Sequence, residues 1–297
     1  MKNYKIALRQ CALIATTLGL ISITGRSAHA GILYNNWSYA IDSFNDSTQG
    51  TPLQVGGTDY EIYGLAIKET KDSVFVAIST NLPVGGVSSH AQDGYTRWGD
   101  LIFNFTEENL SAANAQGNLL GIRFDEQNES GVSSSGIYSY VTLKDVAKEN
   151  NNEFGSLSNH NQVVQQHGGT PSIGDLAAND LYFEQNQQIQ NIIASGTKIG
   201  ELNLLEGEFF GKLGLDFGHF GANSSYTIGF SFDRSLLPTG SFIAHLAPEC
   251  DNDIVAIKGE TISVPEPSGV LSLAAVGLIL SSNQIRQRRQ VHSADQT

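Results

Sequence analysis

Apolar and polar residues alternate without interruption from Tyr226 to Asp233, and no other feature of the sequence restricts the fold as strongly. The apolar positions are Tyr226, Ile228, Phe230 and Phe232, and the positions between them are Thr227, Gly229, Ser231 and Asp233. Successive side chains of a β-strand point to opposite faces of a sheet, so this period of two predicts a strand with one buried face. The chain is therefore expected to build at least one sheet that packs against an apolar core.

Further short segments rich in strand-forming residues are separated by turns that contain glycine, asparagine and aspartate. They are residues 60–69, 74–78, 99–105, 119–124, 136–143, 242–246 and 254–257. Many short strands joined in this way are typical of an antiparallel β-sandwich or jelly roll, so we predict a single mainly β domain. Its core is expected to contain Ile62, Leu65, Phe75, Val76, Phe103, Phe230 and Phe232.

Two segments between the predicted strands are expected to have a different structure. Residues 149–172 are rich in asparagine and glutamine and contain a pair of adjacent glycines, which predicts a long solvated loop. Asp175 is then expected to cap a helix that runs to about Ile193 and buries Leu176 and Phe183. The domain is thus predicted to carry one or two short helices.

The first 30 residues have the pattern of a secretory signal peptide. Three basic residues within the first nine positions precede an apolar stretch at residues 12–23. Ala28 and Ala30 then provide the pair of small residues that signal peptidase recognises. Cleavage is expected before Gly31, which predicts an exported protein.

A second signal is expected at the other end of the chain. Its three parts are Pro265, Glu266 and Pro267, then the apolar residues 268–282, then Arg286, Arg288 and Arg289. The apolar part is shorter than the roughly 20 residues that cross a bilayer comfortably, but it can insert where the bilayer thins. The arginines would hold its C-terminal end in the cytoplasm, which leaves the Pro-Glu-Pro motif on the opposite side.

This order of motif, apolar segment and basic cluster resembles the C-terminal sorting signal of PEP-CTERM proteins, the bacterial surface proteins that exosortase processes. The resemblance implies a signal peptide at 1–30, an exported domain at 31–263 and a sorting signal with a hydrophobic helix at 264–297. It also implies signal peptidase and exosortase as partners during export, transient anchoring in the membrane, and a final location at the cell surface or outside the cell.

A second resemblance covers most of the predicted domain. Residues 37–46, 60–66, 98–105 and 229–238 resemble blocks of the XDD class of exosortase-dependent surface proteins. Residues 245–253, which read HLAPECDND, resemble a His, Glu-Cys, Asn-Asp element that precedes the sorting signal in many PEP-CTERM proteins. The XDD class has no established activity, so the resemblance implies a fold and a location and leaves the chemistry open.

The charge balance excludes one class of partner. The chain has 17 basic and 30 acidic residues, a formal net charge of −13 at pH 7. Affinity for phosphates comes mainly from lysine and arginine, so we do not expect the domain to bind nucleic acid. An acidic exported domain suits solubility, divalent cations and cationic or neutral partners.

Three aspartates are candidate ligands for calcium. Asp42 and Asp46 flank a polar turn that also contains Asn45, and Asp100 begins a predicted strand. Calcium takes six to eight oxygen ligands, often from such side chains. The spacing of an EF-hand is absent, and turns in which aspartate and asparagine bind their own backbone explain the same residues. The sequence therefore leaves open a calcium site at Asp42, Asp46 and Asp100.

Cys250 is the one cysteine that remains after removal of the signal peptide, so no internal disulfide is expected. A lone exported thiol is buried, bridges two molecules or is reactive, and burial is the most common case. A catalytic pair with His245 is open in principle, but a zinc site needs a second pair of ligands that the sequence does not show. We expect a buried cysteine.

Three functions remain open. We favour an exported surface or extracellular-matrix protein without catalytic activity. The alternative is a calcium-assisted module that binds extracellular polysaccharide through stacking by Trp37, Tyr39, Tyr95 and Trp98. A secreted hydrolase is less favoured because the motifs of serine hydrolases, zinc proteases and P-loop enzymes are absent, although paired catalytic carboxylates need no fixed spacing.

Overall fold

In a computed structural model of the chain, which describes residues 31–150 and 154–261, two six-stranded antiparallel sheets pack face to face. Sheet one contains, in spatial order, β1 (Ile32–Tyr34), β2 (Trp37–Ile41), β5 (Ile62–Glu69), β6 (Ser73–Thr80), β14 (Tyr226–Asp233) and β13 (Asn203–Leu204). Sheet two contains β12 (Ile192–Gly200), β11 (Gly136–Lys144), β10 (Leu119–Arg123), β9 (Leu101–Asn104), β15 (Gly240–Leu246) and β16 (Val255–Thr261). The predicted mainly β, antiparallel fold is confirmed.

Two short ribbons stand outside the sheets. β3 (Thr48–Gln49) pairs with β4 (Gln54–Val55), and β7 (Val87–Ser88) pairs with β8 (Tyr95–Thr96). Within the sheets, most neighbours follow one another along the chain, whereas β14 and β15 join strands from much earlier positions. β14 pairs with β6 over its whole length, from Tyr226 opposite Thr80 to Asp233 opposite Ser73.

The main core lies between the two sheets. Leu65, Val76 and Phe230 contribute from sheet one, and Phe103 and Ile122 from sheet two. Aromatic contacts connect the layers, since the ring of Phe230 stacks on that of Phe124 with centroids 5.3 Å apart. Burial of this apolar surface is the principal stabilising contribution.

Six of the seven predicted core residues lie in the core between the sheets. All except Phe75 are buried in the core between the sheets, and they are Ile62, Leu65, Val76, Phe103, Phe230 and Phe232. Phe75 is half-buried on the opposite face of β6, because successive residues of a strand alternate between faces. The prediction for Phe75 was therefore wrong.

The outer face of sheet one is also covered, which explains why β5 and β6 are apolar on both faces. A segment that contains α3 (Gly207–Lys212) and a 3₁₀ helix (Phe217–Phe220) packs Phe210 and Phe217 against Trp37 and Tyr39. Gly229 gives Phe210 room, since a Cβ there would lie 2.3 Å from the phenyl ring. Aromatic packing thus forms a second, outer core.

The helices differ from the predicted ones. α1 (Leu110–Gln116) begins after Asn109, whose side chain accepts a hydrogen bond from the backbone of the first turn. α2 (Leu157–Gln166) lies within the segment that was predicted to be a solvated loop, and that prediction was wrong. Ser156 caps α2, and Leu157 and Val164 bury one side of it.

The predicted helix from Asp175 to Ile193 was also wrong. Most of this segment is irregular, and β12 begins at Ile192. Asp175 does not cap a helix; its Oδ2 accepts a hydrogen bond from the backbone nitrogen of Lys258 at 2.9 Å, on the outer edge of β16. The buried apolar side chains of the segment instead cover the outer face of sheet two.

The predicted signal peptide and the predicted sorting signal, with its motif and arginines, lie outside the described residues. Among residues 31–150 and 154–261, no helix is long and apolar enough to cross a membrane.

Candidate metal centre

Four carboxylates meet where the two sheets adjoin at one end of the sandwich. Asp42 follows β2, Asp46 precedes β3, Glu61 directly precedes β5, and Asp253 precedes β16. Since β2 and β5 belong to sheet one and β16 to sheet two, the group joins both sheets. We call Asp42, Asp46, Glu61 and Asp253 the acidic centre.

Three members of the acidic centre converge closely. One oxygen from each of Asp46, Glu61 and Asp253 lies within 4.8 Å of the oxygens from the other two. All four carboxylates are removed from solvent, and the most exposed, Asp42, retains 4% of its accessible surface. Charged carboxylates are seldom buried without compensation, so this arrangement requires an explanation.

Backbone and hydroxyl donors hold one side of Asp42 and of Asp46. Oδ1 of Asp42 accepts hydrogen bonds from the backbone nitrogens of Ser43 and Gly174, each at 3.0 Å, and from the hydroxyl of Ser172. Oδ2 of Asp46 accepts one from the backbone nitrogen of Ser172 at 2.7 Å. The irregular segment after α2 therefore orients both aspartates.

Glu61 and Asp253 are oriented in a similar way. Oε2 of Glu61 accepts a hydrogen bond from the backbone nitrogen of Gly57. Asp253 accepts one from the backbone nitrogen of Ile62 and one from that of Ile254, each at 2.7 Å. The bond between Asp253 and Ile62 crosses from sheet two to sheet one, because it joins the start of β16 to the start of β5.

The second oxygens of three carboxylates have no such donor. Within the described residues, Oδ2 of Asp42, Oδ1 of Asp46 and Oε1 of Glu61 are buried without a hydrogen-bond partner. The three ion pairs found in this part of the chain do not include any member of the acidic centre. The centre therefore combines donors on one side with free acceptor oxygens on the other.

The environment favours the neutral forms of these groups in the metal-free protein. Burial raises the pKa of Asp42 to about 7 and that of Asp46 to about 9, and the charge of Asp42 also raises the pKa of Asp46. Burial raises the pKa of Glu61 and, well above its usual range, that of Asp253, where the other three carboxylates add to the effect. Repulsion between the charged forms and burial therefore both favour protonation.

Asp100, the third predicted calcium ligand, belongs to a separate network. Its Oδ1 accepts a hydrogen bond from the side-chain nitrogen of Asn128 at 2.9 Å. Its Oδ2 accepts bonds from the hydroxyl of Ser130 at 2.8 Å and from the backbone nitrogen of Ile193 at 2.7 Å. Asp100 is also not a member of the converging group, so the structure brings together Asp42 and Asp46 but not Asp100.

Sequence reasoning missed Glu61, and it considered Asp253 for a metal site with His245, Glu249 and Cys250 instead of with Asp46. Asp253 was visible as the last residue of the HLAPECDND element, and Glu61 as an acid at the start of an apolar strand. The available signal for Glu61 was an acidic residue directly before a strand of mostly apolar residues. Their convergence with Asp46 depends on the packing of the two sheets.

The other acids of the HLAPECDND element hold the fold together. Glu249 accepts hydrogen bonds from the backbone nitrogens of Arg97 at 3.0 Å and Glu129 at 2.7 Å. Asp251 accepts one from the backbone nitrogen of Ile189 and one from the side chain of Asn191, each at 2.8 Å. This element therefore ties several distant loops to the segment between β15 and β16.

Cys250 and His245 do not have the environment of a catalytic pair. The Cys250 side chain is buried, and burial raises the pKa of its thiol well above the usual range, so the nucleophilic thiolate is disfavoured. His245 is also fully buried and packs edge-on against the rings of Tyr182 and Phe183. Its Nδ1 lies 3.3 Å from the hydroxyl of Tyr182.

His245 gives the stability a specific pH dependence. Burial lowers the pKa of His245 to about 4, below its ordinary value of 6.5. On acidification, the unfolded protein therefore binds this proton before the folded protein does. The stability contributed by the neutral imidazole is fully present above about pH 6.5 and is lost as the pH falls toward 4. We compare the unfolding free energy of His245→Phe with that of the wild type. When the pH is lowered from 7 to 5, this difference is expected to shift by about 2 kcal/mol in favour of the variant. Urea titrations at the two pH values test this, and an unchanged difference would contradict it.

The aromatic residues proposed for sugar stacking are mostly inaccessible. Trp37, Tyr39 and Trp98 are fully buried, because they pack in the cores, and only Tyr95 of the four is exposed. These three residues are therefore core residues and do not provide the stacking surface that the alternative function requires. This removes the principal sequence feature that favoured a carbohydrate-binding module.

The geometry defines a two-sheet β-sandwich with a buried cluster of carboxylates. Comparisons of the chain with models of known families, with curated proteins and with solved structures found no match.

Proposed function

We propose that this chain is an exported surface or extracellular-matrix protein without catalytic activity, which signal peptidase and exosortase process at its two ends. The observation that carries the proposal is the structural role of the candidate reactive side chains in residues 245–253. Glu249 and Asp251 accept backbone hydrogen bonds in the interior, and Cys250 and His245 are buried. These groups stabilise a scaffold instead of facing a substrate.

The position of Gly31, the residue after the predicted cleavage site, supports cleavage there. The backbone nitrogen of Gly31 donates a hydrogen bond to the carbonyl of Lys258 at 3.1 Å. A Cβ at this position would lie 2.5 Å from the carbonyl oxygen of Tyr39, so the residue after the predicted cleavage site must be small.

Mass spectrometry of the ends of the native surface form tests the proposal. We expect an N-terminus at Gly31 and no residues from about Ser268 onward, since a short apolar anchor with a stiff polar motif before it suits a cut better than lasting attachment. As a control, Glu266→Ala alters the motif and is expected to retain the C-terminal segment. Recovery of peptides through Gln290 from the unaltered surface form would refute processing at the motif.

A catalytic role is tested separately with the same purified material. Incubation with polysaccharide and peptide libraries is expected to give no turnover. Turnover that disappears on substitution of a buried carboxylate would establish the hydrolase alternative instead. The two experiments are independent, because one follows the ends of the chain and the other follows the domain.

A further inference from the structure

The acidic centre has more negative charge than its surroundings balance. Four carboxylates are buried together, and no lysine or arginine forms an ion pair with them in the described part of the chain. Two outcomes satisfy such a group at neutral pH: some carboxylates are protonated, or a cation binds between them.

Oxygens without a partner favour the second outcome. One buried oxygen of each of Asp42, Asp46 and Glu61 has no hydrogen-bond partner within the described residues. Each of these three side chains uses its other oxygen to accept hydrogen bonds. Donors therefore orient each carboxylate and leave one oxygen available, which is the arrangement that coordination of a cation requires.

The ligand atoms and their spacing select the kind of ion. The converging atoms are all carboxylate oxygens, which bind hard cations, whereas zinc prefers nitrogen and sulfur. Calcium binds oxygens at about 2.3–2.6 Å, so two ligands on opposite sides lie about 4.6–5.2 Å apart. The three oxygens lie within 4.8 Å of one another, which is compatible with that range. Magnesium dehydrates reluctantly and is usually held by one or two carboxylates, so a group of three or four carboxylates favours calcium.

We propose that Asp46, Glu61 and Asp253, assisted by Asp42, bind one calcium ion that joins the two sheets. The ion would connect the start of β5 in sheet one to the start of β16 in sheet two. Backbone carbonyls and water supply the remaining ligands that calcium needs. This site differs from the set of Asp42, Asp46 and Asp100 that the sequence suggested.

Calorimetry and thermal unfolding of the purified full-length protein, after treatment with EDTA, test the site. We expect calcium to bind with a stoichiometry of one and to raise the melting temperature by about 5–10 °C at roughly 100 times the Kd. Magnesium is expected to bind at least tenfold more weakly. An absence of both heat and stabilisation with calcium would overturn the proposal, and an equal response to magnesium would overturn the assignment to calcium.

The substitution Asp46→Asn is expected to change the melting temperature in opposite directions with and without calcium. The variant keeps the shape of the side chain and replaces a group whose charged form is disfavoured by burial and by Asp42, so we expect it to melt at or above the wild-type temperature in EDTA. In calcium it is expected to melt below the wild type and to bind at least tenfold more weakly. Asp59→Asn, an exposed change close to Glu61, is the matched control and is expected to keep the calcium response.

Two results would count against these ligands. If Asp46→Asn keeps the wild-type calcium affinity, Asp46 is not a ligand. If the variant lowers stability equally in EDTA and in calcium, Asp46 serves only as a hydrogen-bond acceptor. Binding measured on the wild type decides whether calcium binds at all, so the proposal stays testable even if a variant fails to fold.

Discussion

Phe230→Ala is expected to lower the free energy of unfolding by about 3–5 kcal/mol. Phe230 is fully buried in the middle of β14, and its ring lies between the two sheets against Phe124. The substitution removes apolar contacts and leaves a cavity that two hydrogen-bonded sheets cannot collapse to fill. Urea denaturation followed by circular dichroism measures the loss.

Phe209→Ala is the matched control for Phe230. Phe209 lies on α3 and keeps 41% of its surface exposed, with one ring contact to Phe75 at 6.3 Å. Its replacement is expected to cost no more than about 1 kcal/mol, because little buried surface is lost. Similar losses for the two variants would show that the space between the sheets is not the main core.

Asp100→Ala is expected to lower the free energy of unfolding by about 3 kcal/mol or more, although Asp100 forms no ion pair with any residue that the structure describes. Its carboxylate is the acceptor for Asn128, Ser130 and the backbone of Ile193. Its removal leaves buried donors without an acceptor, and each such donor costs about 1–3 kcal/mol. The same urea titration measures the effect.

Asp72→Ala provides the comparison for Asp100. Asp72 is exposed in the turn between β5 and β6, and its replacement is expected to change stability by about 0.5 kcal/mol or less. Asp100→Ala should also disturb the start of β12, since Ile193 loses its acceptor there. Hydrogen exchange that stays slow at Ile193 in this variant would contradict the role assigned to Asp100.

The strands were predictable wherever the hydrophobic pattern of a segment matches the faces of the strand that are buried in the fold. β14 alternates because one face meets the main core, and the apolar run of β5 indicates a strand with two covered faces. The position of Phe75 was not predictable, since the outer layer that covers it comes from residues around Phe209, far along the chain. Burial of a strand residue thus depends on which distant segment covers its face.

The errors in helix assignment arose because local composition was a weaker determinant than tertiary contacts. α2 has a serine cap and two buried apolar residues, but its many glutamines and asparagines resemble a solvated loop. The segment after Asp175 contains enough apolar residues for a helix, yet they are held by hydrogen bonds to distant groups such as Asp251 and by the edge of β16. Tertiary contacts therefore overrode weak helix propensity in both segments.

Half of the acidic centre was visible in the sequence. Asp42 and Asp46 are close along the chain, so one turn brings them together. Asp253 approaches β5 through a hydrogen bond to Ile62, 191 positions away, and no local pattern predicts such a contact. Asp100 precedes a strand as Glu61 does, but its strand lies in sheet two, where other donors occupy its carboxylate.

The late position of β14, β15 and β16 has a consequence for the order of folding. β14 completes sheet one beside β6, and β15 inserts in sheet two between β9 and β16. A chain that leaves the cell with its N-terminus first presents ten or more strands before these partners emerge. Pairings so distant in sequence form slowly. If the chain is exported in this direction, as proposed above, it can stay unfolded until almost all of it has passed through the translocation channel.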